Sequence, residues 1–474
     1  MVTSWGHVIN TPEILAFLLA GAQHEIMLFA ACGLVLGGLD DALIDILFFW
    51  RWLWRRLFIY SRYQPMTTAT LPDAVDRAPL AIFVPAWDEA AVIGQMLRDL
   101  TGKWGAARYR VFVGAYPNDP ATIGIVAAAA RDRPVIMPVV TARPGPTTKA
   151  DCLNALWDAM LRDEAATGQR YKAVILHDAE DVVHPDALRL LDRMADRFDL
   201  VQLPVKPYKS QYGSWVSGHY LDEFAEAHGK YLCVREAIGA AVPSAGVGCA
   251  FSRAALARLA AEQGGHPFDP GSLTEDYEIG LRIVEHGGRS VFVRMADALG
   301  EIVCTREHFP DTLRLAVRQK ARWTVGIALA GWDRMGWGNG LAERWMRLRD
   351  RRAALAALIL FAAYLSLVLQ LPIWMLALAG APSHLSPSPL LSMLLLATGV
   401  LMAWRLIIRM LFVTRAHGWT QGLLSVPRTF VANLVAILAA RRAIFIYLGT
   451  LRGHPLIWDK TPHVFPAAMP TPAA

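Results

Sequence analysis

Between residues 14 and 50 the stretch "ILAFLLAGAQHEIMLFAACGLVLGGLDDALIDILFFW" holds no Lys or Arg, and residues 353–380 and 390–414 are two further apolar runs. Each is long enough to cross a bilayer as a helix, which takes about 20 residues at roughly 1.5 Å apiece. A chain built this way must place its ends in lipid, where only helices or closed barrels satisfy the backbone, and fold the rest in water. The composition agrees. Of 474 residues, 54% are hydrophobic and 19% charged, too apolar for an ordinary soluble protein yet not apolar throughout.

The basic residues assign a direction to these segments. Arg51, Arg55, Arg56 and Arg62 follow the first run, "RWMRLRDRR" (344–352) precedes the second, the uncharged "APSHLSPSP" (381–389) joins the pair, and Arg405, Arg409 and Arg415 close the third. By the positive-inside tendency the N-terminus is expected outside, with residue 51 onward and both flanks of the C-terminal pair in the cytoplasm. No basic residue opens the first run, so it reads as an uncleaved anchor. Asp40, Asp41 and Asp45 interrupt it; they are expected either at the interface or paired with a partner helix, because an unpaired acid in mid-membrane is costly. "RWLWRRLFIYSRY" (51–63) mixes aromatics and arginines as an interfacial helix does. A further apolar piece, "FVANLVAILAARRAIFIYLG" (430–449), carries Arg441 and Arg442 near its middle. It is expected on the membrane surface or against the aqueous block, a fourth span being the alternative. The expected divisions are therefore an anchor and interfacial helix at 1–63, an aqueous block at 75–340, two membrane helices at 350–415, and an interfacial helix with a cytoplasmic tail at 416–474. The net charge of +6 gathers beside apolar segments, which argues against a nucleic-acid partner. Five cysteines show no paired spacing, so neither a disulfide framework nor a zinc site is expected.

Within 75–340, "APLAIFVPAWDE", "YRVFVGAY" (109–116), "PVIMPVV" (134–140), "KAVILHD" (172–178) and "DLVQLPV" (199–205) read as short strands between Ala- and Leu-rich helical stretches. This alternation predicts an α/β block, a mostly parallel sheet with flanking helices, inserted between transmembrane helices. In such sheets ligands bind at the carboxyl ends of the strands. "HDAED" (177–181) stands at that edge, with three acids close enough to repel one another unless a cation joins them. Asp178 and Glu180 have D-x-[DE] spacing, suited to a hard divalent cation that also holds a diphosphate. The spacing recurs by chance; Asp181 is an alternative ligand or a helix cap. "LTEDYEIGLRI" (273–283) places Thr274, Glu275 and Asp276 at the head of an apolar-periodic helix, where the helix N-terminus favours ionised carboxylates; a Thr cap followed by first-turn acids is the plain alternative. "RQKARW" (318–323) offers Gln319, the Arg322 guanidinium for phosphate and the Trp323 indole for a sugar face, or else an Arg–Trp pair ahead of a membrane segment.

Taken in order, "HDAEDVVHP", "TEDYEIGLR", "RQKARWTVGIALAGW" and the terminal "WDKTPHVFP" resemble the family 2 glycosyltransferases of the processive, cellulose-synthase-like group with a GT-A fold, and within it the bacteriophage adsorption protein B-like branch. The resemblance spans nearly the whole chain. It implies transfer of a sugar from a UDP-activated donor with inversion, Mg²⁺ or Mn²⁺ as cofactor, and a place in the bacterial inner membrane. It implies Asp276 as general base beside Glu275, and Asp178 and Glu180 as the metal pair, with Glu where the family has a second Asp. Asp88 and Glu89 match a turn where Asn-Glu is usual and, with Asn118, Asp119, Lys149 and Arg322, would bind the nucleotide-sugar. Gly246 and Gly248 in "SAGVGCAFSR" (244–253), Gln319 and Trp323 would lie on the acceptor side; a plain turn is the simpler reading of the glycines. The partners implied are a UDP-sugar, a glycan or lipid-linked acceptor, membrane lipid, and an export protein or second copy of the chain. Longer members of the branch carry a C-terminal regulatory domain that this sequence is expected to lack. The alternatives are single-sugar transfer to a lipid carrier, or a catalytically silent scaffold or phage-uptake component; a transporter is disfavoured because over half the chain is an aqueous block.

Overall fold

The computed structural model describes residues 11–209, 215–380 and 387–453; "WDKTPHVFP" lies outside the described residues. Among the described residues nine strands form the central block: β1 (Leu80–Pro85), β2 (Tyr109–Ala115), β3 (Ile136–Val140), β4 (Ala173–Leu176), β5 (Leu200–Gln202), β6 (Val205–Pro207), β7 (Cys249–Ser252), β8 (Ser290–Phe292) and β9 (Thr305–Glu307). Seven of them make one sheet in the order β3-β2-β1-β4-β7-β5-β8. All its neighbours are parallel except β7, which runs antiparallel to both β4 and β5. β6 and β9 pair separately, in parallel.

The apolar run of β1 is buried along its whole length because successive side chains enter different cores. Leu80, Ile82 and Val84 pack with Ile93, Met96 and Leu97 of the Ile93–Trp104 helix, whereas Ala81 and Phe83 pack with Leu153, Leu156 and Trp157 of the Lys149–Thr167 helix. A strand covered on both faces needs no polar alternation, which is why β1 reads as "LAIFV". Each fully buried Leu, Ile or Phe contributes about 1.5–3 kcal/mol. The five strands read from sequence are all present. β6 to β9 are additions: at three or four residues each they are too short to show a period.

Among the described residues, four helices are long and apolar enough to cross a membrane by length and composition: Glu13–Ile59, Ala353–Leu378, Pro389–His417 and Trp419–Leu451. The first packs on the second and third. Gln23 donates to the Ser366 carbonyl at 3.0 Å and to Gln370 Oε1 at 2.8 Å. The three aspartates of the first helix are paired: Asp40 with Arg349 and Arg352, Asp41 with those two and Arg405, and Asp45 with Lys230 at 2.5 Å and the Trp404 indole at 2.9 Å. The 430–449 piece belongs to the Trp419–Leu451 helix, which packs on the Pro389–His417 and Ala353–Leu378 helices and on the central block. Val435 meets Tyr220 and Ala316, and Ala439 and Ala443 meet Ala321 and Val325.

Candidate active site

A cleft opens where β1 and β4 end. Lys149 is the first residue of its helix because Thr148 caps it, accepting from the Asp151 amide at 3.2 Å while Asp151 accepts from the Thr148 amide. That cap aims the Lys149 ammonium at the turn after β4, where its Nζ lies 2.5 Å from Asp178 Oδ1. Burial works against the Lys149 charge, but the carboxylates of Asp178, Glu275 and Asp276 outweigh it and hold the ammonium protonated. Four predicted residues thus form one charged knot.

Glu89, Glu180, Gln319, Arg322 and Trp323 line the same cleft. Arg322 and Trp323 close the Leu313–Trp323 helix, which lies against the Trp419–Leu451 helix. Trp323 meets Tyr220 edge-on at 6.4 Å, and the Lys320 ammonium sits 4.8 Å from its ring. Asp181 has a different task from Glu180. It is fully buried, accepts from the Asp178 amide at 3.2 Å and is bonded to His177 Nδ1 at 2.7 Å, so it closes the turn that presents the other two acids.

Asp276 lies in the first turn of the Glu275–Glu285 helix. Thr274 takes the cap position without a side-chain cap bond. Ser272 instead receives the Thr274 amide at 3.2 Å and donates to Glu278 at 2.7 Å, and Arg334 ties Glu278 to Asp269. Asp276 Oδ1 accepts from the Tyr277 amide at 2.8 Å. The helix N-terminus was expected to favour ionised acids, but burial acts the other way and raises both Glu275 and Asp276, with Asp276 adding to Glu275 by like-charge repulsion.

Gly246 and Gly248 both have positive φ, +77° and +58°. A Cβ on Gly246 would run into the Asp276 carboxylate, and one on Gly248 into Thr305; the loop can approach the acid only as glycine. Gly246→Ala is expected to displace that carboxylate and lower kcat by about 10²-fold, with the melting midpoint measured alongside to separate misplacement from unfolding.

Asp88, Asn118 and Asp119 stand outside the cleft lining. Both polar atoms of the Asn118 amide bond the Gly145 backbone at 2.8 Å. Asp119 caps the Pro120–Asp132 helix and accepts from the Asp88 amide at 2.7 Å, holding Asp88 at φ +54°. These residues shape the turn from which Glu89 enters. Sequence reading missed Glu307, the last residue of β9, and Phe309 just after it, which line the cleft; a three-residue strand gives no periodic signal.

Asp178 and Glu180 are hard oxygen donors facing one cleft, and no group of three or more His, Cys, Asp or Glu among the described residues forms a closed metal cage. Two carboxylates fit Mg²⁺ or Mn²⁺, which keep remaining positions for phosphate oxygens and water.

Residues 173–440 match the family described as glycosyl transferase family group 2. The bacteriophage adsorption protein B of Escherichia coli (strain K12) and the bacteriophage N4 adsorption protein B of Escherichia coli O157:H7 are each 40% identical over 454 residues, 91% of this chain and 61% of theirs. The chain thus spans about three fifths of the length of these curated relatives. A mannosyltransferase from Pyrobaculum calidifontis, solved with GDP-mannose and Mn²⁺, shares the fold at 17% identity, with a TM-score of 0.53 over 89% of this chain and 99% of that one. The family match takes in more than half of the residues, and the chain belongs to glycosyl transferase family group 2.

Proposed function

We propose that the protein is an inverting glycosyltransferase that extends a polysaccharide or glycoconjugate from a UDP-sugar at the cytoplasmic face of the bacterial inner membrane. The observation that carries this reading is the knot of Lys149, Asp178, Glu275 and Asp276 at the strand ends, with Arg322 and Trp323 across the cleft. Asp178 and Glu180 would hold Mg²⁺ or Mn²⁺, which when bound neutralises charge on the leaving diphosphate. Lys149 and Arg322 offset the rest of that charge. Asp276 takes the proton of the acceptor hydroxyl as its oxygen bonds the anomeric carbon and the bond to the diphosphate breaks, releasing UDP. The Trp323 face supports the acceptor sugar. In this reading the first three apolar helices span the membrane with the N-terminus outside, and the Trp419–Leu451 helix lies along the domain.

The test is nucleotide release by detergent-purified protein offered UDP-sugars, with GDP-mannose included because the similar mannosyltransferase holds it. Release with one UDP-sugar that stops on chelation and returns with Mn²⁺ or Mg²⁺ is expected. Release with GDP-mannose alone would replace the nucleotide, and no release with any donor and added lipid would favour the silent scaffold. A product ladder separates polymerisation from single addition to a lipid carrier.

A further inference from the structure

A second cavity of about 660 Å³ lies beside the ends of two long apolar helices and shares no lining residue with the cleft. Its size is that of a ligand pocket, roughly 300–1,000 Å³. One wall is apolar: Phe48 and Trp52 near the end of the Thr11–Trp54 helix, and Leu411 and Phe412 near the end of Pro389–His417. The other is basic, with Lys206 on β6, Arg306 on β9 and Arg294, and Arg415, four residues after Leu411 on the same helix, adds a fourth cation to the lining. Glu301, 3.4 Å from Arg306, is the single carboxylate among the described lining residues. Four cations face one acid. Lys206, Arg294 and Arg415 have no carboxylate within ion-pair distance among the described residues. Burial, and then the Arg306 charge, pulls the Lys206 ammonium down, the strain an anion would relieve.

On β9, side chains alternate across a shared wall: Arg306 faces this cavity and Glu307 faces the cleft. The Arg306 backbone is also bonded both ways to Val182, at 2.8 and 3.0 Å, just beyond the turn that carries Asp178 and Glu180.

We propose that this cavity binds an anionic phospholipid, its phosphate held by Lys206, Arg294, Arg306 and Arg415 and its acyl chains laid on Phe48, Trp52, Leu411 and Phe412. A soluble phosphate would use the basic wall and leave the aromatic one idle; a lipid at the end of two apolar helices uses both. The site is independent of the transferase reading, since none of its residues enters the cleft.

Binding of fluorescent phosphatidylglycerol to the delipidated full chain in detergent tests the proposal, with phosphatidylethanolamine and inorganic phosphate as competitors. Phosphatidylglycerol is expected to bind, and neither competitor to displace it at equal or millimolar concentration respectively. Arg294→Gln and Arg415→Gln, at exposed positions, should each weaken binding about fivefold, the weight of one basic residue near an anionic surface. Glu301→Gln should tighten it, a change that unfolding cannot mimic. Equal binding of phosphatidylethanolamine, displacement by inorganic phosphate, or indifference to all three substitutions overturns the proposal.

Discussion

Asp276→Asn is expected to lower the rate of sugar transfer by about 10²–10⁴-fold, the usual weight of a positioned general base. The amide keeps the shape of the carboxylate and can still accept from the Tyr277 amide, but it cannot take the proton of the acceptor hydroxyl. Three carboxylates surround Lys149, and their placement separates their tasks. Asp178 is engaged by the Lys149 ammonium, whereas Asp276 lies against the glycine loop at Gly246, which leaves no room for a side chain beside its carboxylate. Burial raises Asp276, which brings its basicity nearer to neutral pH, where a general base works best. The loss should fall on kcat, with donor affinity changed by no more than a few-fold, because no donor contact is assigned to this group. Glu275→Gln, which alters the charge of the knot and leaves the base in place, should cost less. If Asp276→Asn keeps full kcat while Glu275→Gln abolishes it, the base is Glu275.

The sheet was legible wherever a strand was long enough to show its burial. "LAIFV" and "YRVFVGA" announce strands covered on both faces, and the helical stretches between them fix parallel order. What sequence could not supply was the destination of individual acids. Glu180 and Asp181 are neighbours in "HDAED", and only the fold sends one into the cleft and the other inward to His177. Asn118 and Asp119 occupy the expected edge, yet their hydrogen bonds go to the Gly145 backbone, the Asp88 amide and a helix start. Asp40, Asp41 and Asp45 read as a break in an apolar run because their partners lie some 180 to 360 residues away. Pairings at such separation leave no local period. The network of Ser272, Glu278 and Asp269 behind Asp276 was also invisible, because it is joined by Arg334, 56 residues from Glu278 and 65 from Asp269.

One such distant pairing carries a large expected effect on stability. Arg428→Leu is expected to destabilise the protein by about 3–5 kcal/mol, because it leaves the Asp222 carboxylate buried without its counter-charge. Arg428 lies in the Trp419–Leu451 helix and is 4% exposed; Asp222 lies in the Trp215–Glu226 helix and is 2% exposed. The guanidinium grips both carboxylate oxygens, at 2.9 and 2.6 Å, and its remaining donors go to Gln421 Oε1 at 2.6 Å and to the Gln421 carbonyl at 2.9 Å. A pair so fully bonded is costly to break on one side, yet replacing both partners by apolar residues of similar volume is often neutral. The double variant Arg428→Leu with Asp222→Leu should therefore recover most of the lost stability. Thermal unfolding in detergent reads both, and a double variant as unstable as the single one would show that the loss lies in the Gln421 bonds instead. Activity should follow stability, since the same helix backs the one that ends in Arg322 and Trp323: when the Trp419–Leu451 helix loosens, the cleft loses the wall that positions its guanidinium and its indole.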